Sequence, residues 1–282
     1  MIILKNNNLT IKIDEKGAEL KSILCNGIEN MWDGNPEIWN NTAPLLFPIC
    51  GSLKNNKYIY EGKEYFLEKH GYAKNTIFDI ELLTETKVVL IHKSNNETRR
   101  HFPFNYEFRV IYTIENSSIK IEYNVLNTSN KTMYFSIGSH EGYATPEGIE
   151  EYDIIFSKNE TLDSMSIYDG RISPKTRSIL NNSNILPLRE MLFEPGSLIF
   201  KNLNSNSVVL RNRKTGRALQ VEFDFAKYFI IWHKPDANFI CLEPWAGLTD
   251  MVDSSYDIKE KEGIMALDSR KNYIAKHIIT IL

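Results

Sequence analysis

Apolar and polar positions along this chain recur mainly with a period of two. Leu9-Thr10-Ile11-Lys12-Ile13 alternates as a strand does when one face lies on a core and the other in water. The alternation returns through residues 108–114 and again through 119–125, around the polar stretch Glu115-Asn116-Ser117-Ser118, which predicts a β-hairpin. Apolar runs predict further strands at 88–92, 133–138, 198–200, 207–212, 218–225, 228–233, 239–243 and 276–282. Helical spacing is confined to two short stretches, Pro36 to Asn41 and Pro187 to Phe193. Many short strands with no strand–helix–strand rhythm predict an all-β fold, a large antiparallel β-sandwich with few short helices. No Pro/Ser-rich linker, composition break or fixed-period repeat divides the chain, so residues 1–282 are expected to form one domain.

Composition narrows the function classes. The 282 residues are 42% hydrophobic and 24% charged, which is ordinary for a folded globular protein, and long enough to bury a core without disulfides. A formal net charge of −3 advertises no basic face for nucleic acid or anionic lipid. The apolar start Met1-Ile2-Ile3-Leu4 is too short for a signal segment or a membrane span. Cys25, Cys50 and Cys241 make neither a disulfide framework nor a CxxC pair, so a reducing, cytoplasmic location is expected. No GxGxxG, GxxxxGK[ST], GxSxG or HExxH occurs, which removes the usual sequence support for nucleotide cofactors, phosphate loops, the hydrolase elbow and zinc proteolysis.

Three segments join an ionisable side chain to a restrained backbone. In Glu68-Lys69-His70-Gly71-Tyr72-Ala73-Lys74, glycine after His70 permits a turn that presents the imidazole, either to a ligand or simply to solvent. His140 lies between Gly138 and Gly142 at a strand end, where it can serve a site or cap a neighbouring carbonyl. Glu243 follows the apolar run Phe239-Ile240-Cys241-Leu242, so desolvation should raise its pKa toward the range of a useful base. A structural ion pair with Arg109 or Arg217 is the alternative for that carboxylate. Pro244 is expected to stop ladder pairing beyond Glu243, and Trp245 offers a stacking face. Two histidines and a carboxylate could bind a metal, but no spacing among them forms a local ligand pair. Metal-free, cofactor-independent acid–base chemistry is the expectation.

These segments, with Phe47-Pro48-Ile49-Cys50-Gly51 and Trp232, occur in an order that resembles the aldose 1-epimerase (mutarotase) family, and most nearly its LacX-like branch. The resemblance implies the galactose mutarotase-like supersandwich, an isomerase that exchanges the α and β anomers of a hexose, and a sugar as partner to a monomer or homodimer. It implies Glu243 as catalytic base, His140 as catalytic acid and His70 as a second histidine near the ring oxygen. Family members often carry arginines where this chain has Ser52 with Lys54, and Lys74. Lys54, Tyr72, Lys74 and Trp245 are therefore the candidate substrate-binding residues. Many relatives also have His-Pro where this chain has His140-Glu141. Epimerisation of a hexose 6-phosphate, or sugar binding without turnover, are the rival expectations.

Overall fold

A computed structural model describes residues 1–282. Nine antiparallel strands form the main sheet, in the order Arg171–Pro187, Tyr152–Tyr168, Ser207–Asn212, Ala218–Phe223, Asn272–Ile281, Ser118–Asn127, Tyr106–Glu115, Lys87–Lys93 and Asp79–Leu83. The predicted hairpin supplies two of its inner strands. Ser118 pairs with Glu115 across a two-residue turn, and Asn116 takes the positive φ such a turn requires. Alternate residues of both strands are buried, the sequence pattern read out in three dimensions.

Two four-stranded sheets pack with this one around a single core. One is N-terminal, Ile2–Lys5, Leu9–Asp14, Glu19–Cys25 and Ile28–Glu29; the other has the order Gly142–Ala144, Phe239–Trp245, Tyr228–Trp232, Leu198–Lys201. The second sheet positions the chemistry because it is buried on both faces. Phe229, Ile231, Ile240 and Leu242 point into the common core. On the other face Ile230 and Trp245 pack with Leu46, Ile172 and Leu248, while Phe239 and Cys241 pack with Trp32, Trp39 and Trp232. That outer face, roofed by loops, is where Glu243 emerges.

Several expectations change. The 36–41 stretch is turns, and 187–193 contains only the single 3₁₀ turn Glu190–Leu192; the one α-helical turn is Thr98–His101. No helix is long and apolar enough to cross a membrane. The strand expected at 133–138 ends at Phe135, since Gly138 leaves it to bridge Leu46 and Trp245. Pro244 does not end its strand either. It lies opposite Phe229, Trp245 still pairs with Tyr228, and the Pro244 carbonyl accepts from Ser139 N–H at 3.2 Å, so the missing donor is at a position the ladder does without.

The largest unforeseen element is the hairpin of Tyr152–Tyr168 with Arg171–Pro187. Only residues 152–156 pair with the neighbouring strand of the main sheet. The distal half folds over the four-stranded sheet, where Ile172 and Met165 join its outer cluster. The Ser164 hydroxyl accepts from Ile199 N–H, and Ile172 N–H donates to the Asp250 carbonyl, both at 2.9 Å.

Candidate active site

Strand geometry places the carboxylate. Residues 239, 241, 243 and 245 share one face of their strand, so Cys241, Glu243 and Trp245 all project to the outer side. Glu243 is 1% exposed, yet it has no ion-pair partner among the arginines. Arg109 is held by Glu81 and Glu107, and Arg217 donates to the Asn30 side chain. The structural ion pair is therefore not formed.

His140 is delivered by the chain that crosses the end of this sheet. Ser139 is fastened on both sides, its N–H to the Pro244 carbonyl and its carbonyl to Trp245 Nε1 at 3.0 Å. The flanking glycines are required by space: a Cβ on Gly138 would lie 2.7 Å from the Trp245 ring, and one on Gly142 would lie 2.8 Å from Trp39. The result sets His140 Nδ1 3.5 Å from Glu243 Oε2, with both atoms buried and neither hydrogen-bonded.

His70 arrives from the other side, on a loop interlocked with residues 47–51. His70 N–H donates to the Gly51 carbonyl at 2.8 Å, and Gly51 N–H donates back to His70 Nδ1 at 3.1 Å. With Nδ1 engaged as an acceptor, the ring proton of neutral His70 sits on Nε2, which becomes a donor. Gly71 follows at φ 70°, and a Cβ there would stand 2.3 Å from the Phe47 carbonyl oxygen, so glycine is mandatory. The His70 and His140 rings meet edge to face at 5.5 Å.

All three side chains line one cavity of about 360 Å³, within the range of small-ligand sites. Trp245 and Lys74 line it too. Trp39 and Trp232 form an aromatic wall, with Trp39 5.2 Å from the His140 ring and Trp232 5.6 Å from it. Lys69, Asn41 and Ser197 supply the polar remainder. Sequence reasoning passed over these three and Trp39. Lys69 carried a usable signal in its adjacency to His70; the others come from loops whose arrival no local pattern announces.

Two expected binding residues lie elsewhere. The Lys54 ammonium donates to the Ser254 carbonyl and stacks over Tyr256, because its backbone N–H is tied to Asp250 and turns the side chain away. The Tyr72 hydroxyl is bonded to that of Tyr106 at 3.1 Å, and the ring borders depressions on the far side of its loop, away from His140 and Glu243.

Burial dominates the electrostatics. Desolvation pushes Glu243 well above the ordinary carboxylate value, against the opposing pull of the Lys69 ammonium. Desolvation, assisted by Lys69, lowers His140 to about 3. His70 is also held well below its usual value by burial and then by His140. Both shifts run the same way, favouring the uncharged arrangement of carboxylic acid beside neutral imidazole. Cys241 is fully buried, and burial with the nearby Glu243 keeps its thiol protonated.

The chain matches the aldose 1-epimerase family over residues 1–261. It is 35% identical to the plasmid-encoded protein LacX of Lactococcus lactis, across 96% of this chain and 97% of that one. Among solved structures, a galactose mutarotase related enzyme from Lactobacillus acidophilus is 33% identical, with a TM-score of 0.95 over 100% of this chain and 97% of the other. A galactose mutarotase-like protein from Lactobacillus casei is 27% identical, with a TM-score of 0.94 and complete coverage of both chains. With the supersandwich and this coverage on both sides, the chain belongs to the aldose 1-epimerase family, in its LacX-like branch.

Proposed function

We propose that this protein interconverts the α and β anomers of a free hexose by acid–base opening and closure of the ring. The observation that carries the reading is the contact between His140 Nδ1 and Glu243 Oε2, 3.5 Å apart, buried, unpartnered, and open to a cavity walled by tryptophans. Anomer exchange removes the proton on O1 and adds one to the ring oxygen; the aldehyde then rotates and recloses. One proton shared by a carboxylate and an imidazole suffices for this, because the proton taken at one oxygen replaces the one given at the other.

Glu243 takes the O1 proton while His140 donates to the ring oxygen, and closure reverses the roles. The ionised arrangement this needs is an isomer of the neutral resting pair, reached by moving one proton across the gap. Sugar hydroxyls favour it by hydrogen-bonding the carboxylate, and Nε2–H of His70 donates to a sugar oxygen. The indoles of Trp39, Trp232 and Trp245 offer faces for the C–H side of a pyranose. Each positioned proton transfer is typically worth about 10²–10⁴ in rate.

A second reading, a hexose 6-phosphate as substrate, is favoured by Lys69 and Lys74, which line a cavity whose only acidic group is Glu243. Polarimetry of freshly dissolved α-glucose and α-galactose, with the corresponding 6-phosphates, tests both. Accelerated decay of optical rotation with the free sugars is expected. Acceleration with the phosphates alone would transfer the assignment to the second reading, and saturable sugar binding without acceleration would refute catalysis.

A further inference from the structure

The outer face of the Phe239–Trp245 strand carries a donor set that the sugar chemistry does not use in full. A ligand atom from each of His140, Cys241 and Glu243 lies within 4.8 Å of the other two, and all three residues are buried. We infer that His140, Cys241 and Glu243 form an inhibitory site for a soft or borderline divalent cation, zinc in particular, bordering the sugar cavity that His140 and Glu243 line.

The donors suit that ion. An imidazole nitrogen, a thiolate and a carboxylate oxygen are ordinary zinc ligands, and three protein ligands leave a fourth position for water. Zinc–ligand bonds of about 2.0–2.3 Å put neighbouring donors in a tetrahedral site somewhat under 4 Å apart. The 3.5 Å between His140 Nδ1 and Glu243 Oε2 is already such an edge, and the Cys241 sulfur lies within 4.8 Å of a ligand atom of each. Those two atoms are also buried without a hydrogen-bond partner, which is the condition a cation relieves. Thiolate and carboxylate together balance the 2+ charge, and binding sends the thiol and carboxyl protons to solvent while His140 coordinates as a neutral imidazole.

Occupation would take both proton-transfer groups out of service, so the ion acts against the sugar rather than for it. Cys241 is the discriminating residue, because nothing in the proposed proton transfers uses it.

Cobalt(II) reports the site directly. Titrating the protein with cobalt in the absence of sugar should produce a thiolate-to-cobalt charge-transfer band and the visible bands of tetrahedral cobalt, and zinc should displace them. Cys241→Ser and Cys241→Ala should lose the charge-transfer band, while Cys25→Ala and Cys50→Ala keep it. In the polarimetric assay, zinc should inhibit the native protein, and Cys241→Ser should need at least about tenfold more zinc with its metal-free rate unchanged. Absence of the band from the native protein at saturating cobalt overturns the inference, as does its persistence in folded Cys241 variants. Because the band is read without substrate, it separates failure of the metal site from failure of the epimerase reading.

Discussion

Removing either member of the buried proton-sharing pair should tilt the dependence of stability on pH, in opposite directions for the two residues. The ordinary values of the two groups are 4.5 for the carboxyl and 6.5 for the imidazole. Between these, the unfolded chain carries carboxylate and imidazolium, one proton in all. The folded pair also carries one proton, on the carboxyl. Folding then neither takes up nor releases a proton at this pair, and its contribution to stability is flat between pH 5 and 6.

In His140→Asn only Glu243 remains, protonated when folded and ionised when unfolded. Its folded pKa is raised, so its contribution is complete below 4.5 and is lost as pH rises. In Glu243→Gln only His140 remains, neutral when folded and protonated when unfolded. Its folded pKa is depressed to about 3, so folding is penalised increasingly as pH falls below 6.5. Integrating the proton difference from pH 5 to 6 gives about 1 kcal/mol gained by Glu243→Gln relative to the native protein, and His140→Asn should shift in the opposite direction, losing stability as pH rises. Urea unfolding followed by tryptophan fluorescence at several pH values measures this, and titrating groups distant from the site cancel in the comparison. Three nearly parallel curves would refute the neutral pair, because an ionised site holds the same carboxylate and imidazolium that the unfolded chain carries in this pH range and so exchanges no proton on folding.

Further outcomes follow from the same geometry. His140→Asn and Glu243→Gln should each cut anomer exchange by at least about a hundredfold while near-ultraviolet circular dichroism stays native; a near-normal rate in either would remove that residue from the chemistry. Gly71→Ala should destabilise by about 1–3 kcal/mol and lower activity, because the left-handed backbone and the Phe47 carbonyl 2.3 Å away both reject a Cβ; an unchanged urea midpoint would count against the interlocked loop. Lys54→Met should leave the KM for sugar unchanged, since its ammonium faces Ser254 and Tyr256, whereas Lys69→Met should raise it; the opposite ranking in steady-state polarimetry would contradict the cavity described.

Period-two alternation was enough to find the inner hairpin and the strands that pack one face on the core, because half-burial writes itself directly into sequence. The Tyr152–Tyr168 and Arg171–Pro187 strands escaped. Beyond residues 152–156, stretches such as Ser157-Lys158-Asn159-Glu160 and Asn181-Asn182-Ser183-Asn184 have left the main sheet's ladder and keep little of the alternation by which a half-buried strand is read. At Pro244 a local rule against proline in a ladder lost to a position that needed only a carbonyl.

At the site, His70, His140, Glu243 and Trp245 could be singled out from sequence because each sits beside a glycine, a proline or an apolar run that restrains the chain. Such restraint is local. Their convergence on one cavity is not, and neither is the departure of Lys54 and Tyr72 from it, the approach of Lys69 and Trp39 to it, or the presence of Cys241 beside His140. Alternation is a property of consecutive residues and is written by burial along one strand. Proximity across a hundred residues depends on which loops roof the outer face of one four-stranded sheet, and only the packed structure decides that.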